Sequence, residues 1–260
     1  MRKVFQIAFV IITVLALSLL VFATSEYLLP SGSLRSLAAF YLSAAPDPLH
    51  PYTSATPAVV GAILWDYRGI DTFYETVVLY LALAAGVVSI SPLRPREVPG
   101  RRAGLSPMVK AAIRVVAPVV VAAGLAMGLH GSENPGGGFH GGATIAIAPL
   151  AVVAAFSTTF LLGRKVSMQI LLFLMSLGLT GIGVTALSTF VAGLLAGANS
   201  YVLQNLPKPN APMGFPGKTG WMGVDSLLLF DVFELLTVAC GFTLAFMELM
   251  LQSDKGGETR

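Results

Sequence analysis

Cysteine and charged residues are scarce in this chain of 260 residues, which has one cysteine and only 11% charged residues. A soluble domain carries about 25% charged residues, so the shortage excludes a soluble globular protein. Cys240 lies within an apolar run, and a single thiol builds neither a disulfide framework nor a cysteine metal site. The net charge of +3 is no sign of a nucleic-acid partner; in such a chain it reports on topology.

Motifs for catalysis and cofactor binding are also missing. The sequence has no Gly-x-Ser-x-Gly, no His-Glu-x-x-His and no phosphate loop. His130 and His140 flank a glycine-rich stretch and could meet, but two histidines without a carboxylate or thiol partner make a poor metal site. They remain candidates for proton handling or for ordinary hydrogen bonding. We therefore predict a non-enzymatic chain without cofactor or metal.

Apolar residues are in excess, at 55% of the chain, and the mean hydropathy is +0.78. Several apolar runs reach the roughly 18–20 residues that cross a bilayer. The run over residues 4–23 exceeds the usual signal-peptide core of about 7–15 residues, so it is predicted to be the first transmembrane helix. We predict an all-α, multi-pass protein of the plasma membrane, with six or seven transmembrane helices embedded in lipid.

Basic residues predict the topology. The proline- and arginine-rich linker 92–107 and the turn at Arg164 and Lys165 flank one helical hairpin, and positive charge places both in the cytoplasm. The loops at 134–142 and 199–223 then lie on the outer side. The basic N-terminus agrees with this arrangement if the apolar segment 53–65 is a half-helix that does not cross.

A glycine-rich run separates two apolar segments, 109–129 and 143–162. Such a run forms a compact turn whose bare backbone approaches its neighbours closely. Bare backbone at membrane depth is tolerated only where protein or water covers it, so we expect this loop to be packed. Its predicted structural residues are Pro135, Gly136, Gly137, Gly138, Phe139, Gly141 and Gly142.

Four charged residues cluster where the short segment 53–65 meets the next helix: Asp66, Arg68, Asp71 and Glu75. Ionisable groups in membrane helices are costly and indicate ion pathways, and a broken helix is a suitable place to hold a cation or proton. Two structural explanations remain open. Thr72 and Glu75 have capping-box spacing, and Arg68 could neutralise Asp66 or Asp71.

Asp231 and Glu234 form a second acidic pair, three residues apart on one face of the last helix. Carboxylates in apolar surroundings suit proton handling. They could instead pair with a basic group of another subunit. Asp225, just before this helix, is predicted to be its N-cap.

Two stretches resemble one known family. Residues 130–142, HGSENPGGGFHGG, resemble the signature loop of the B subunit of Mrp/Mnh-type multisubunit sodium/proton antiporters, and residues 108 to about 251 look like that whole subunit. Residues 65–79, WDYRGIDTFYETVVL, resemble the C-terminal part of the A subunit. Asp66, Arg68, Asp71, Thr72 and Glu75 match that motif. The chain departs from the family pattern at Ile70, Tyr74 and His140.

The resemblance implies two fused modules, as in the membrane-bound hydrogenase and sulfur reductase complexes of archaea. Residues 1–91 would be A-like, 92–107 a basic cytoplasmic linker, 108–252 B-like and 253–260 a charged tail. It also implies a non-catalytic subunit of an antiporter module, with Na+ or H+ as the moving ion, other membrane subunits as partners and Glu75 in ion movement. The alternatives are a purely structural scaffold subunit and a self-contained transporter; the absence of internal repeats argues against the latter.

Overall fold

The computed structural model describes residues 2–24, 34–90, 105–156, 160, 166–215 and 225–253. The helices are α1 (Arg2–Ala23), α2 (Ser36–Ala44), α3 (Val59–Gly61), a π-helix (Ala62–Tyr67), α4 (Gly69–Ile90), α5 (Pro107–Leu129), α6 (Gly138–Phe156), α7 (Met168–Ala196) and α8 (Ser226–Ser253). No strand occurs in these ranges, which confirms the all-α prediction. Two compact units are present, 1–40 and 41–260.

Five of these helices, α4 to α8, are long and apolar enough to cross a membrane, and α1 adds a shorter apolar stretch, Phe9–Ala23. The multi-pass prediction is therefore confirmed. Most of the predicted linker 92–107, the Arg164–Lys165 turn and the tail after residue 253 lie outside the described residues.

Helix α8 is the centre of the second unit and contacts α4, α5, α6 and α7. Helix α6 runs parallel to it, because Gly138 lies against Asp231 and Gly142 against Val238. Helix α4 is also parallel to α8, and Leu83 reaches Gly241.

Helix α7 is antiparallel to α8, since Gly178 lies against Thr237 and Gly241 against Met175. Helix α5 is antiparallel to α6, with which it forms a hairpin. The starts of α4, α6 and α8 therefore share one end of the bundle with the loops after α5 and α7. This agrees with the predicted placement of those two loops on the same side.

The short segment before α4 is interrupted as predicted. Helix α3 continues into the π-helix and ends at Arg68, whose φ and ψ of −129° and 27° leave the helical region. At a rise of about 1.5 Å per residue, the stretch 59–67 is about 14 Å long, less than half of the roughly 30 Å hydrocarbon core. It cannot cross the membrane alone.

One expectation about a helix boundary was wrong. The glycine run is not a turn throughout: Gly137, with φ +134°, ends the turn and α6 begins at Gly138. Helix α7 also contains several glycines, and it is continuous over 29 residues up to a left-handed cap at Gly197. In both cases glycines lie where a neighbouring helix comes close, so they serve helix packing within a continuous helix.

The α5–α6 contact depends on the absence of side chains. A Cβ placed on Gly124 would lie 2.7 Å from the Gly141 carbonyl oxygen and 2.7 Å from an Ile145 side-chain carbon. We expect Gly124→Ala to lower the free energy of unfolding by about 1–3 kcal/mol, the usual cost of overpacking. Thermal unfolding of the purified chain in lipid nanodiscs measures this. Gly86→Ala is the matched control, because nothing lies within 4 Å of its Cβ position. Equal melting temperatures for the two variants would contradict the close contact.

Candidate functional site

Two carboxylates lie side by side near the start of α8, inside the membrane-spanning part of the bundle. Asp231 and Glu234 are only 2% and 5% exposed, and both face the first residues of α6. The predicted proximity on one helix face is therefore realised, and in a buried position. No Lys or Arg of the described ranges pairs with either one.

Asp231 receives two hydrogen bonds on one oxygen. Its Oδ1 accepts from the backbone N–H of Gly138 at 3.1 Å and from the indole N–H of Trp65 at 3.2 Å. Trp65 belongs to the π-helix and is held in place by stacking on Phe230, at 4.6 Å between ring centroids. Within the described ranges, Oδ2 of Asp231 is buried without a hydrogen-bond partner.

Glu234 uses both of its oxygens. Its Oε2 accepts from the backbone N–H of Phe139 at 3.0 Å, and Oε1 lies 3.4 Å from the hydroxyl oxygen of Thr76 on α4. The carboxylate therefore connects α8 to α6 on one side and to α4 on the other.

The start of α6 is suited to negative charge. The first N–H groups of a helix have no intrahelical partner, and they lie at the positive end of the helix dipole. Gly138 and Phe139 present two such groups to the carboxylates. This approach requires glycine, because a Cβ at Gly138 would lie 2.2 Å from the carbonyl oxygen of Asp231. The glycine run thus positions an anion site as well as packing helices.

The predicted cluster around Glu75 is divided by the structure. Asp66 binds Lys208 at 2.6 Å, with side chains 1% and 13% exposed respectively, and it also accepts the N–H of Asn205. Burial raises the pKa of Asp66, and the charge of Lys208 opposes that rise. This ion pair joins the loop after α7 to the π-helix.

Arg68 pairs with Asp71 at 2.5 Å, but both side chains are more than 60% exposed. Of the two carboxylates that Arg68 could neutralise, it therefore pairs with Asp71 and not with Asp66. An ion pair at the surface contributes little to stability. The capping-box explanation for Thr72 and Glu75 is wrong, because α4 begins at Gly69 and Thr72 lies inside the helix. The carbonyl oxygen of Thr72 accepts a hydrogen bond from the Thr76 hydroxyl.

Glu75 lies on the exposed face of α4, beside the exposed apolar side chains of Tyr74 and Val78. It is next in sequence to Thr76 and within electrostatic reach of Glu234. The structure therefore separates the predicted candidate carboxylates into a buried pair on α8, the buried Asp66 paired with Lys208, and two exposed carboxylates on α4, Asp71 and Glu75.

Several residues of the site were not singled out from the sequence. Trp65, Thr76 and Lys208 each bind a candidate carboxylate through a side chain. The only signal for Lys208 was a basic residue in a proline-rich loop that also contains Lys218. Nothing in the sequence indicated that Trp65 and Thr76 would meet α8, about 160 residues away. The predicted N-cap Asp225 is present, and its Oδ1 accepts the N–H of Leu228 at 2.8 Å.

A family model for a domain related to the MnhB subunit of Na+/H+ antiporter matches residues 108–244. No curated protein sequence matches the chain. Among solved structures, one chain of the Mrp complex from Dietzia sp. DQ12-45-1b is similar, with a TM-score of 0.57 and 23% identity over 96% of this chain. The match spans 26% of that longer chain.

A chain of the membrane-bound sulfane sulfur reductase, an archaeal respiratory membrane complex, is also similar. The TM-score is 0.59 and the identity 21%, over 95% of this chain and 98% of that one. At such identities these two likenesses establish the fold. They extend beyond residues 108–244 to almost the whole length of the chain.

Proposed function

The chain belongs to the family of domains related to the MnhB subunit of Na+/H+ antiporters, and from this premise we propose that it is a membrane subunit of an Mrp-type cation/proton antiporter module. It contributes to a Na+ or H+ path and catalyses no chemical reaction itself. Residues 108–252 form the B-like module, and residues 1–91 correspond to the C-terminal part of the A subunit. The module works with other membrane subunits, including those of a respiratory complex.

The observation that carries this function is the buried pair Asp231 and Glu234. A carboxylate at membrane depth is costly, and apolar residues would fill the same space without that cost. The fold nevertheless supplies each carboxylate with a backbone N–H from the start of α6. Within the described ranges no basic residue neutralises this negative charge. A site of this kind suits the transient binding of a proton or small cation.

Glu75 extends the site toward the surface of the bundle. An exposed carboxylate on a spanning helix cannot face lipid at low cost, so this face of α4 is where another membrane subunit packs. Through its neighbour Thr76, α4 contacts Glu234. We assign Glu75 to the entry of the path and the α8 pair to its buried part, whereas Asp66, Arg68 and Asp71 shape the surroundings.

Sodium/proton exchange in vesicles that carry the assembled complex tests this proposal. We expect Glu234→Gln, Asp231→Asn and Glu75→Gln each to lower the exchange rate at least about tenfold, which corresponds to roughly 1.4 kcal/mol on the barrier. Glu133→Gln is the control, because Glu133 is an exposed glutamate in the turn before α6. Unchanged exchange in all three variants, with the complex fully assembled, would leave the scaffold role as the better explanation.

A further inference from the structure

The hydroxyl of Thr76 has two neighbours but only one proton to donate. Its oxygen lies 3.0 Å from the Thr72 carbonyl oxygen and 3.4 Å from Oε1 of Glu234. A carbonyl oxygen can only accept, so the shorter contact uses the hydroxyl proton. The longer contact then joins two oxygens without a proton between them, unless Glu234 carries one on Oε1.

The other bonds of the pair agree with one proton on Glu234. Its Oε2 accepts the N–H of Phe139, so Oε1 is the oxygen free to hold a proton. Asp231 differs, because Oδ1 accepts two N–H groups, which stabilise an anion. A proton on Oδ2 would have no acceptor, since that atom is buried without a partner in the described ranges.

Charge also favours a shared proton. Two anions on adjacent turns of one buried helix face repel each other. Within the described ranges, the other charged groups that act on the pair are acidic too, namely Glu75 on α4 and Asp225 at the start of α8. Helices α6 and α7 bring no basic side chain to it within the described ranges.

We propose that Asp231 and Glu234 together hold one proton, located on Oε1 of Glu234 and donated to the hydroxyl of Thr76, while Asp231 is the anion. Thr76 is then a positioning residue. When the proton leaves Oε1 for water, the Thr76 hydroxyl turns to donate to Oε1 and gives up its bond to the Thr72 carbonyl. The assignment of one proton to this pair is argued from the hydrogen bonds. Its use in transport rests on the proposed function.

Infrared spectroscopy of the full chain in lipid nanodiscs at neutral pH tests the assignment. The carbonyl stretch of a protonated carboxyl, identified by its shift in D2O, is expected in the native chain and in Glu133→Gln and is lost in Glu234→Gln. Thr76→Val is expected to move the band to higher frequency, because the protonated carboxyl loses the hydroxyl that accepts its hydrogen bond. Thr76→Ser keeps a hydroxyl and is expected to restore the native frequency. If Thr76 had a purely structural role, Thr76→Val would leave the frequency of the band unchanged.

Two results would overturn the proposal: a native spectrum without this band, or a band that survives in Glu234→Gln. The infrared experiment tests the location of the proton, whereas the exchange assay tests transport, so the two can fail independently. If the band behaves as expected while Asp231→Asn and Glu234→Gln exchange normally, the proton assignment stands and the transport role of the pair fails. If the band is absent and the same variants lose exchange, the transport role stands with both carboxylates ionised.

Discussion

Replacing Lys208 by methionine is expected to lower the free energy of unfolding by about 3–5 kcal/mol, the usual cost of breaking a buried ion pair by removing one partner. The aliphatic stem is kept, but Asp66 is left buried with its charge uncompensated. Thermal unfolding in nanodiscs measures the loss. The double variant with Asp66→Asn is expected to recover much of it, because an amide needs no cation. A double variant as unstable as the single one would show that packing, and not charge, was lost.

The same variant has a defined pH dependence. Burial already places the pKa of Asp66 above its ordinary value, with Lys208 acting in the opposite direction. A raised carboxyl pKa means that the folded state binds the proton more tightly, so stability falls as pH rises through that pKa. Removing Lys208 raises this pKa further. The deficit of Lys208→Met should therefore be largest at neutral pH and shrink in acid, and a deficit independent of pH would contradict the charge argument.

Gly138→Ala is expected to destabilise the chain by about 3 kcal/mol, at the upper end of overpacking costs. Its Cβ would lie 2.2 Å from the Asp231 carbonyl oxygen and 2.7 Å from Cβ of Glu234. These are backbone and near-backbone atoms that cannot move aside alone, so α6 and α8 must separate. Separation lengthens the N–H contacts of Gly138 and Phe139 to the two carboxylates, and exchange by the complex should fall together with stability.

Gly183→Ala is the control for this experiment, because nothing lies within 4 Å of its Cβ position on α7. It should leave both the melting temperature and the exchange rate near the native values. A chain with Gly138→Ala that melts and exchanges like this control would refute the close approach of α6 to α8.

The class and the order of the helices could be predicted because each rests on local composition. Long apolar runs, the glycine stretch and the interrupted segment before α4 are visible without knowledge of packing. Residues 130–142 were also sufficient to suggest the family. The boundaries were less predictable, since Gly138 has weak helix propensity and its helical state depends on packing against α8.

The site was predictable only in part. Asp231 and Glu234 stand out as charges in an apolar helix, and their spacing places them on one face. Their partners could not be inferred, because Trp65 and Thr76 reach them only after α4 packs parallel to α8. The grouping of Asp66 with Glu75 relied on proximity in sequence, whereas the backbone break at Arg68 gives the two carboxylates different environments.

The depth of Glu234 within α8 has an electrical consequence. Glu234 lies eight residues after Ser226, the first residue of the helix, which corresponds to about 12 Å along its axis. If the hydrocarbon core begins at Ser226, this is about 0.4 of its roughly 30 Å thickness. Moving an elementary charge through the whole core changes its free energy by about 2.3 kcal/mol per 100 mV. For a proton that reaches Glu234 from the Ser226 end of α8, the free energy therefore changes by about 0.9 kcal/mol per 100 mV. If Glu234 takes up protons on the proposed path, its occupancy therefore depends on the membrane voltage.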